Sequence, residues 1–376
     1  MTRRTSLGVT CLLAVALGAL PAAARDAGAA ASIDGPYVFL QDGKREQLRV
    51  RRNDQGVVEA TRSALAGAEV EVEVDSAGAH RFEVPLRKAH PRGATHFPMP
   101  SRLLVASDLE GQFDAFTSLM QHNGVLDARL HWRFGRGHLV LVGDLVDRGP
   151  HVLPLLWLVY RMEAEARAAG GAVHYVLGNH EQMLLTGQTR YQHPKYLETL
   201  RLTGQAPQAL WDEHSELGRW LRSKPVLLRV GDYLFMHGGL SPEALALRPT
   251  LDEVDRLAAT SLTRDPRELT DARAKAVIRG PLGVLWYRGL AMDMPGIPRA
   301  TPAQVQQVLQ HFGVRHLVIG HTLVEHVGSD YGGAVLRVDV GHAAGTREAL
   351  LIERGKAFRV DASGQRGALE QAVNAD

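Results

Sequence analysis

The chain has 376 residues, of which 45% are hydrophobic and 22% are charged. This length permits a large domain with a small companion, or two or three domains, and the composition is ordinary for a globular protein. Because 43 basic residues nearly balance 41 acidic ones, the sequence shows no broad electrostatic footprint for nucleic acid or for an anionic membrane surface. We therefore expect no nucleic-acid partner.

Residues 1–24 have the pattern of a signal peptide. Two arginines precede an apolar run over 7–20, and small residues follow it, which is the order found in secretory leaders. The run is too short to serve as a permanent membrane anchor. The pattern predicts export, to the periplasm, with no stable membrane anchor. The only cysteine, Cys11, lies in this run, so the mature chain would have no disulfide, thiolate metal site or cysteine nucleophile.

Residues 32–90 alternate apolar and polar side chains, the period expected of half-buried strands. The apolar positions are Leu48, Val50, Val70, Val72, Val74, Phe82, Val84 and Leu86. Turn residues separate these runs at Asp42-Gly43 and at Ser76-Ala77-Gly78. The pattern predicts a small antiparallel β module, for which packing or docking is the default role.

A different pattern begins after a proline-rich link at 90–100, and we assign 98–362 to a larger domain and 363–376 to a tail. Five short apolar runs are predicted as strands: Leu103–Ala106, Leu139–Val142, Val173–Leu177, Tyr233–Met236 and His316–Ile319. Helices are predicted for Val152–Ala169, for Ala209–Arg222 and from Thr301 to Gly313. Apolar strands that alternate with helices indicate a layered α/β fold, with either one sheet or two stacked sheets.

Each of the five predicted strands is followed by a short polar motif. In chain order these are Ser107-Asp108-Leu109-Glu110-Gly111, Gly143-Asp144-Leu145-Val146-Asp147-Arg148-Gly149, Gly178-Asn179-His180-Glu181, His237-Gly238-Gly239 and Gly320-His321-Thr322. Any one of them could be a plain turn or helix cap. Because polar groups that follow buried strands meet at one edge of a sheet, five in succession predict a single functional site.

Aspartate, glutamate, histidine and asparagine are ligands that suit Mn, Fe, Zn or Mg. The set is rich enough for two divalent ions. Two such ions about 3.5–4 Å apart can clamp a phosphate and convert a bridging water into a hydroxide nucleophile. The motifs therefore predict metal-dependent hydrolysis of phosphate esters.

The ordered motifs resemble those of the phosphoprotein phosphatase branch of the calcineurin-like metallophosphoesterases, in which GDxHG, GDxxDRG, GNHE, HGG and GH follow in this order. The segment Gly280–Arg288 makes the chain most similar to the bacterial Shewanella-like protein phosphatases. The resemblance covers residues 100–345 and implies a layered β-sandwich flanked by helices, with 98–362 as catalytic domain. It implies a phosphomonoesterase for phosphoproteins or small phosphate esters, with phosphotyrosine as one implied substrate.

The resemblance also implies a role for each motif residue. Asp144 would bridge two metals, Asp108 and Glu110 would complete the first metal site, and the second would use Asn179, His237 and His321. The implied catalytic residues are the general acid His180, its orienting partner Asp147, and the phosphate-binding arginines Arg148 and Arg288.

Glu110 departs from the family pattern, which has histidine at this position. If Glu110 binds metal, three carboxylates surround the first ion, and we expect Mn or Mg to be favoured there over softer metals. If Glu110 does not bind metal, the first site would be weak or the centre would hold a single ion. Manganese is the metal we expect, with Fe, Zn or Mg as alternatives.

Two other functions compete with a protein phosphatase. Dinucleoside-polyphosphate hydrolases share the motifs but usually lack the aspartate found here as Asp147. A metal-binding protein with weak catalysis would explain Glu110. Metal binding alone does not need a pair such as His180 and Asp147, so this pair favours an enzyme.

Overall fold

The computed structural model describes residues 31–75, 80–265 and 267–371. The predicted signal peptide, Cys11 and the predicted turn at Ser76-Ala77-Gly78 lie outside the described residues. Among the described residues, no helix combines the length and apolar character needed to cross a membrane.

Eighteen strands make up the sheets of the described chain. They are β1 (Ala31–Gln41), β2 (Lys44–Arg52), β3 (Val58–Ala64), β4 (Glu69–Glu73), β5 (Arg81–Pro85), β6 (His96–Phe97), β7 (Arg102–Ala106), β8 (His138–Val142), β9 (Ala172–Val176), β10 (Leu227–Val230), β11 (Tyr233–Met236), β12 (His316–Ile319), β13 (Gly328–Asp330), β14 (Val335–Arg337), β15 (Glu348–Glu353), β16 (Lys356–Asp361), β17 (Arg366–Gly367) and β18 (Glu370–Gln371).

Nine α-helices connect the strands of the described chain. They are α1 (Phe113–His122), α2 (Val152–Ala168), α3 (Asn179–Leu185), α4 (Pro194–Thr203), α5 (Glu216–Arg222), α6 (Pro242–Ala246), α7 (Leu251–Ser261), α8 (Ala272–Ala274) and α9 (Pro302–Phe312). A π-helical turn spans Lys275–Arg279, and 3₁₀ turns span Pro207–Leu210, Tyr331–Gly333 and His342–Ala344.

Two large sheets stack face to face, which decides between the one-sheet and two-sheet alternatives. One has the strand order β17-β16-β15-β7-β8-β9, and the other has the order β18-β13-β14-β12-β11-β10-β6. An apolar layer fills the space between them, contributed by residues such as Val105 and Val140 from the first sheet and Phe235 and Val318 from the second. The strands β7, β8 and β9 run parallel, as do β11, β12 and β14, so the motif-bearing strand ends face the same edge of the sandwich.

The predicted N-terminal β module is present as two antiparallel sheets, β1-β2-β3 and β4-β5. They pack against α2. The Trp157 indole of α2 donates a 2.9 Å hydrogen bond to the Pro36 carbonyl, and the Tyr160 hydroxyl accepts one of 2.8 Å from the Arg87 amide. The module therefore shares its apolar core with the larger part of the chain.

The structure differs from the sequence predictions in two places. The helix predicted for Ala209–Arg222 is wrong in its first half, because a 3₁₀ turn ends at Leu210 and α5 begins only at Glu216. Between them the Asp212 carboxylate accepts backbone hydrogen bonds from His214 and Ser215, a local turn that competes with helix formation. The short strands β17 and β18 lie in the segment predicted as a tail and pair with β16 and β13.

Candidate metal centre

The predicted site residues lie at one edge of the sandwich, just beyond β7, β8, β9, β11 and β12. Several of them adopt left-handed backbone conformations that side chains normally avoid. The φ angles are 53° at Asp108, 53° at Asp144, 70° at Asp147 and 64° at His321. Such conformations cost about 1–3 kcal/mol each and persist where the surrounding structure enforces them, which is common at functional sites.

Asp144 lies at the centre of the group and is fully buried. Its Oδ2 is 3.0 Å from His237 Nε2, and His237 Nε2 is also 3.0 Å from Asn179 Oδ1. Ligand atoms of Asp144, His237 and His321 all lie within 4.8 Å of one another. The structure thus brings together the four residues predicted for the second metal site.

Both histidines are held with one ring nitrogen directed at the centre. His237 Nδ1 donates a 2.7 Å hydrogen bond to the Val142 carbonyl, and His321 Nε2 donates one of 3.1 Å to the Trp286 carbonyl. Each ring therefore keeps its other nitrogen for the centre. A histidine that binds metal is usually fixed by such a hydrogen bond on its second nitrogen, so the donor set fits a divalent cation.

In the protein without a metal ion, the buried carboxylates and His237 of the centre shift one another's pKa values. Burial would lower the pKa of His237, but the carboxylates of Asp144 and Asp108 outweigh it and raise the pKa to about 10. Burial raises the pKa of the Asp108 carboxyl to about 6, although His237 acts in the opposite direction. The proton on His237 lies where oxygens of Asp144 and Asn179 converge, and metal binding at such a position displaces a proton.

Two glycines are required by close approach of the motifs. A Cβ on Gly178 would lie 2.2 Å from Asp144 Oδ1, and one on Gly143 would lie 2.5 Å from His237 Nδ1. Each distance is far shorter than a non-bonded contact allows. Gly143 and Gly178 therefore let the ligands of different strands reach one point.

The predicted general acid and its partner form a close pair. His180 Nδ1 donates a 2.7 Å hydrogen bond to Asp147 Oδ2, and His180 Nε2 lies 3.8 Å from Asp144 Oδ2. Burial would lower the pKa of His180, but the carboxylates of Asp144 and Asp147 raise it above its ordinary value. The ring therefore directs Nε2 towards Asp144, and the two carboxylates favour the protonated form of the imidazole.

The two predicted phosphate-binding arginines differ in their partners. The half-buried Arg288 donates to the carbonyl of His321, which fixes its guanidinium at the edge of the centre. Arg148 is exposed and forms an ion pair with Glu110. The carboxylate of Glu110 does not belong to the close group of Asp144, His237 and His321, so its role as a metal ligand stays a prediction.

Sequence reasoning assigned no role to Glu181, although the motif contains it. Its buried carboxylate accepts hydrogen bonds from the amides of Asp144, Leu145 and Gly178 and from the Tyr175 hydroxyl, at 2.7–2.9 Å. Glu181 therefore ties the loop after β8 to the start of α3. Its position in the fourth place of the Asn179 motif was the available signal.

Tyr191 and Asp339 are further residues of the site that the sequence did not indicate. The Tyr191 ring lies 5.1 Å from the His180 ring and 5.5 Å from the Arg148 guanidinium. Asp339, just beyond β14, is buried, and the charges of Asp108 and His237 act on its carboxyl group. Neither belongs to a motif, so only the tertiary structure reveals them.

Comparisons with known proteins place the chain among phosphatases. Residues 101–325 match the calcineurin-like phosphoesterase family. The crystal structure of a cold-active protein-tyrosine phosphatase from a psychrophilic Shewanella species is similar, with a TM-score of 0.80 and 30% sequence identity, and covers 90% of this chain and 99% of its own. Shewanella-like protein phosphatase 2 of Arabidopsis thaliana is 25% identical over 71% of this chain and 78% of its own. An uncharacterized protein of Schizosaccharomyces pombe is 31% identical over 68% of this chain and 78% of its own.

A symmetrical bis(5'-nucleosyl)-tetraphosphatase of Neisseria meningitidis is similar only in part, at 30% identity over 36% of this chain and 42% of its own. The similarity to the Shewanella structure extends over nearly the whole of that protein. The predicted layered fold and the predicted resemblance are thus confirmed. The chain belongs to the calcineurin-like phosphoesterase family and is a metal-dependent phosphatase similar to the Shewanella-like protein phosphatases.

Proposed function

We propose that this chain is a protein phosphatase that prefers phosphotyrosine, uses manganese and acts after export. The observation that carries the proposal is the convergence of Asp144, Asn179, His237 and His321 beside the His180–Asp147 pair. Metal ligands next to a protonated imidazole suit the hydrolysis of a phosphate monoester. When bound, divalent cations would supply positive charge for the phosphate oxygens and lower the pKa of an attacking water.

His180 would give its proton to the leaving oxygen of the ester. Asp147 holds Nδ1–H, so the proton at Nε2 is the one that faces the centre. The nearby carboxylates keep the imidazole protonated by raising its pKa. A leaving alkoxide or phenoxide requires such a proton.

The arginines would hold the phosphate itself. Arg288 is fixed by the His321 carbonyl, and the guanidinium of the exposed Arg148 lies 5.5 Å from the Tyr191 ring, which also neighbours His180. Guanidinium groups bind phosphate oxygens through paired, charge-assisted hydrogen bonds. We propose that substrate phosphate replaces Glu110 as the partner of Arg148.

The preference for phosphotyrosine is supported by Tyr191. Its partly exposed ring lies next to both the acid that serves the leaving oxygen and the arginine that would hold the phosphate. With its phosphate at the metal centre, the side chain of a substrate residue would therefore extend along this ring. An aromatic pair contributes about 0.5–1.5 kcal/mol beyond area burial. The similar Shewanella structure is of a protein-tyrosine phosphatase.

The proposed reaction is tested by turnover of p-nitrophenyl phosphate with added Mn²⁺. We expect wild-type turnover and a loss of about 10²–10⁴-fold in kcat for His180→Asn, because the general acid is removed. His138→Asn is the matched control, since His138 lies at the start of β8, far from the motif-bearing end. Absence of turnover in every metal contradicts the enzyme, and full activity of His180→Asn contradicts the assignment of the acid.

The substrate class is tested with matched phosphotyrosine and phosphoserine peptides. We expect Tyr191→Ala to lower kcat/KM for the phosphotyrosine peptide by about 2- to 10-fold more than for the phosphoserine peptide. Tyr191→Phe should retain the preference, because the ring is kept. A diadenosine tetraphosphate substrate run in parallel tests the alternative hydrolase, and its faster turnover would exclude our proposal.

The metal and the location require separate measurements. Elemental analysis of active protein should find manganese, and zinc as the only metal would contradict us.

Export is supported by the pattern in residues 1–24. Fractionation of cells that express the full chain should place it in the periplasm, and Leu13→Arg, which interrupts the apolar run, should retain it in the cytoplasm. If wild type and Leu13→Arg distribute alike, the proposal of export is wrong.

A further inference from the structure

The loop that carries Asp147 has a strained backbone. Asp147 and Arg148 have φ angles of 70° and 57°, in the left-handed region that favours glycine. Two consecutive residues keep such angles only where neighbouring groups enforce them. Asp147 Oδ2 accepts the hydrogen bond from His180, whereas its buried Oδ1 has no partner within the described chain. The direction of this carboxylate, and with it that of the His180 ring, therefore depends on how the loop backbone is held.

The groups that hold this loop lie at the start of α4. The Tyr191 carbonyl, just before α4, accepts a 2.8 Å hydrogen bond from the Arg148 amide. The Tyr196 hydroxyl, in the first turn of α4, donates to the Pro150 carbonyl at 2.9 Å and accepts from the Val152 amide at 2.8 Å. Only 5% of Tyr196 is exposed, so its hydroxyl has no ready substitute in solvent. Helix α4 therefore fixes the loop at and just beyond its strained residues.

The N-terminal β module anchors α4 in turn. The Thr199 hydroxyl of α4 donates a 2.6 Å hydrogen bond to Asp34 Oδ2 in β1, and the Lys195 ammonium lies 3.9 Å from Asp34 Oδ1. The Tyr37 hydroxyl and the Gly35 amide also donate to Asp34, at 2.8 and 2.9 Å. Asp34 is 2% exposed, and hydrogen bonds to a buried carboxylate are among the strong ones. The Asp34 carboxylate therefore joins β1 firmly to α4.

The module also reaches the loop directly. His151, which precedes α2, donates from Nε2 to the Asp75 carbonyl beyond β4 at 2.8 Å. Tyr37 of β1 and Tyr196 of α4 line a small cavity that Asp147 also borders. Hydrogen bonds thus connect the module to the strained loop both through α4 and at the end of the loop.

We propose that Asp34 is a positioning residue for the His180–Asp147 pair and acts through α4 and the Tyr196 hydroxyl. The N-terminal β module then contributes to catalysis as well as to packing, although it lies outside the metal centre. A general acid must lie within hydrogen-bond distance of the leaving oxygen, and a misplacement of about 1 Å can cost about 100-fold in rate. The inference rests on the proposed function of His180 as that acid.

The test compares two aryl phosphates that differ in their need for an acid. Phenoxide is a poorer leaving group than p-nitrophenoxide and depends more on protonation. With the full chain and saturating Mn²⁺, we expect Thr199→Val and Tyr196→Phe to lower kcat for phenyl phosphate by about 10-fold and for p-nitrophenyl phosphate by about 3-fold or less, with KM nearly unchanged. Thr199→Ser keeps the hydroxyl and should retain wild-type values for both esters.

Tyr160→Phe is the matched control for Tyr196→Phe. The buried Tyr160 hydroxyl also accepts from a backbone amide, that of Arg87, at 2.8 Å, and it donates to Glu216 at 2.7 Å. Its partners do not belong to the loop that carries Asp147. We expect both variants to lower the melting temperature, but only Tyr196→Phe to change the ratio of kcat values for the two esters. If Tyr196→Phe does not fold, Thr199→Val decides the question.

A double variant separates positioning from general loss of stability. In His180→Asn the acid is absent, so addition of Tyr196→Phe should not lower kcat further, because residues that act as a unit are not additive. Losses that multiply in the double variant overturn the proposal. An unchanged kcat ratio in both Thr199→Val and Tyr196→Phe, or an equal change of the ratio in Tyr160→Phe, also overturns it.

Failure of the proposed function would be recognised separately. Full activity of His180→Asn alone would remove the acid and this inference with it. If His180→Asn is impaired and the α4 variants keep the wild-type ratio, only the role of Asp34 is wrong.

Discussion

Buried charges occur in two regions of this molecule, and the two regions handle them in opposite ways. One region is the junction of the N-terminal module and α2. There the Glu163 carboxylate accepts hydrogen bonds from Lys224 at 2.6 Å, from Arg87 at 2.7 Å and from the Trp220 indole at 3.0 Å. At the metal centre, Asp108, Asp144 and Asp339 are buried together, and Asp339 has no such partner within the described residues.

The difference separates a structural charge from a functional one. Burial would raise the pKa of Glu163, but Lys224 and Arg87 outweigh it and keep the pKa below its ordinary value. At the metal centre burial prevails and raises the pKa of Asp108 and Asp339 to about 6 and about 9. The charges at the junction are thus balanced by the protein alone, whereas the negative charges at the metal centre are balanced by a bound cation.

Removal of metal should have the largest effect. We expect chelation to lower kcat by about 10³-fold or more, because bound metal supplies several kcal/mol of transition-state stabilisation. Turnover of p-nitrophenyl phosphate before chelation, after chelation and after addition of Mn²⁺ measures this. If protein that elemental analysis shows to be metal-free were still fully active, the centre would not need a cation, and the contrast between the junction and the metal centre would be wrong.

Breaking the junction should affect stability and leave the chemistry intact. We expect Glu163→Gln to lower the free energy of unfolding by about 3–5 kcal/mol, because Lys224 remains buried without its partner. Urea unfolding measures the change, and kcat well below the melting temperature should be retained. The double variant Glu163→Gln with Lys224→Met should recover part of the loss. A cost below about 1 kcal/mol for Glu163→Gln would show that the pair is not structural.

Acid should weaken the junction through His174, which lies in the same cleft as Glu163 and Lys224. Burial and the neighbouring His138 lower the pKa of His174 to about 3. As pH falls below about 6.5, His174 becomes protonated in the unfolded chain but stays neutral in the folded one. This protonation favours the unfolded chain, so the contribution of neutral His174 to stability is lost. From pH 7.5 to pH 5 the loss should be about 2 kcal/mol.

The measurement is urea unfolding at both pH values for wild type and His174→Gln. The variant lacks the titrating group, so the difference between the two proteins should shrink or reverse at pH 5. Parallel pH dependences of wild type and variant would show that His174 does not cause the loss.

The smallest effect is expected outside both regions, at the start of α9. The Thr301 hydroxyl accepts a hydrogen bond from the Gln304 amide at 3.3 Å, and the Gln304 side chain accepts one from the Thr301 amide at 2.8 Å. Thr301→Ala should therefore cost about 1 kcal/mol. Thermal unfolding should show this loss, with activity and Mn²⁺ binding unchanged. A change in Mn²⁺ binding would mean that α9 is coupled to the centre.

Local patterns allowed much of the fold to be predicted. Tyr233–Met236 and His316–Ile319 were predicted as strands with their observed bounds, because a short apolar run between turn residues has few alternatives. The start and end of α9 followed from its cap at Thr301 and from Gly313, whose φ is 60°. The helix predicted from Ala209 failed because a side-chain turn at Asp212 competes with the helix, and periodicity does not detect such turns.

The sequence by itself determined the family, the layered fold and the motif residues around Asp144, since these depend on residue types at fixed spacings. Only the tertiary structure decided that two sheets stack, that Glu110 pairs with Arg148, and that Tyr191 and Asp339 enter the site. These facts depend on contacts between segments that are distant along the chain. Charge balance within a buried space is a property of all groups that reach it, and no single motif contains them all.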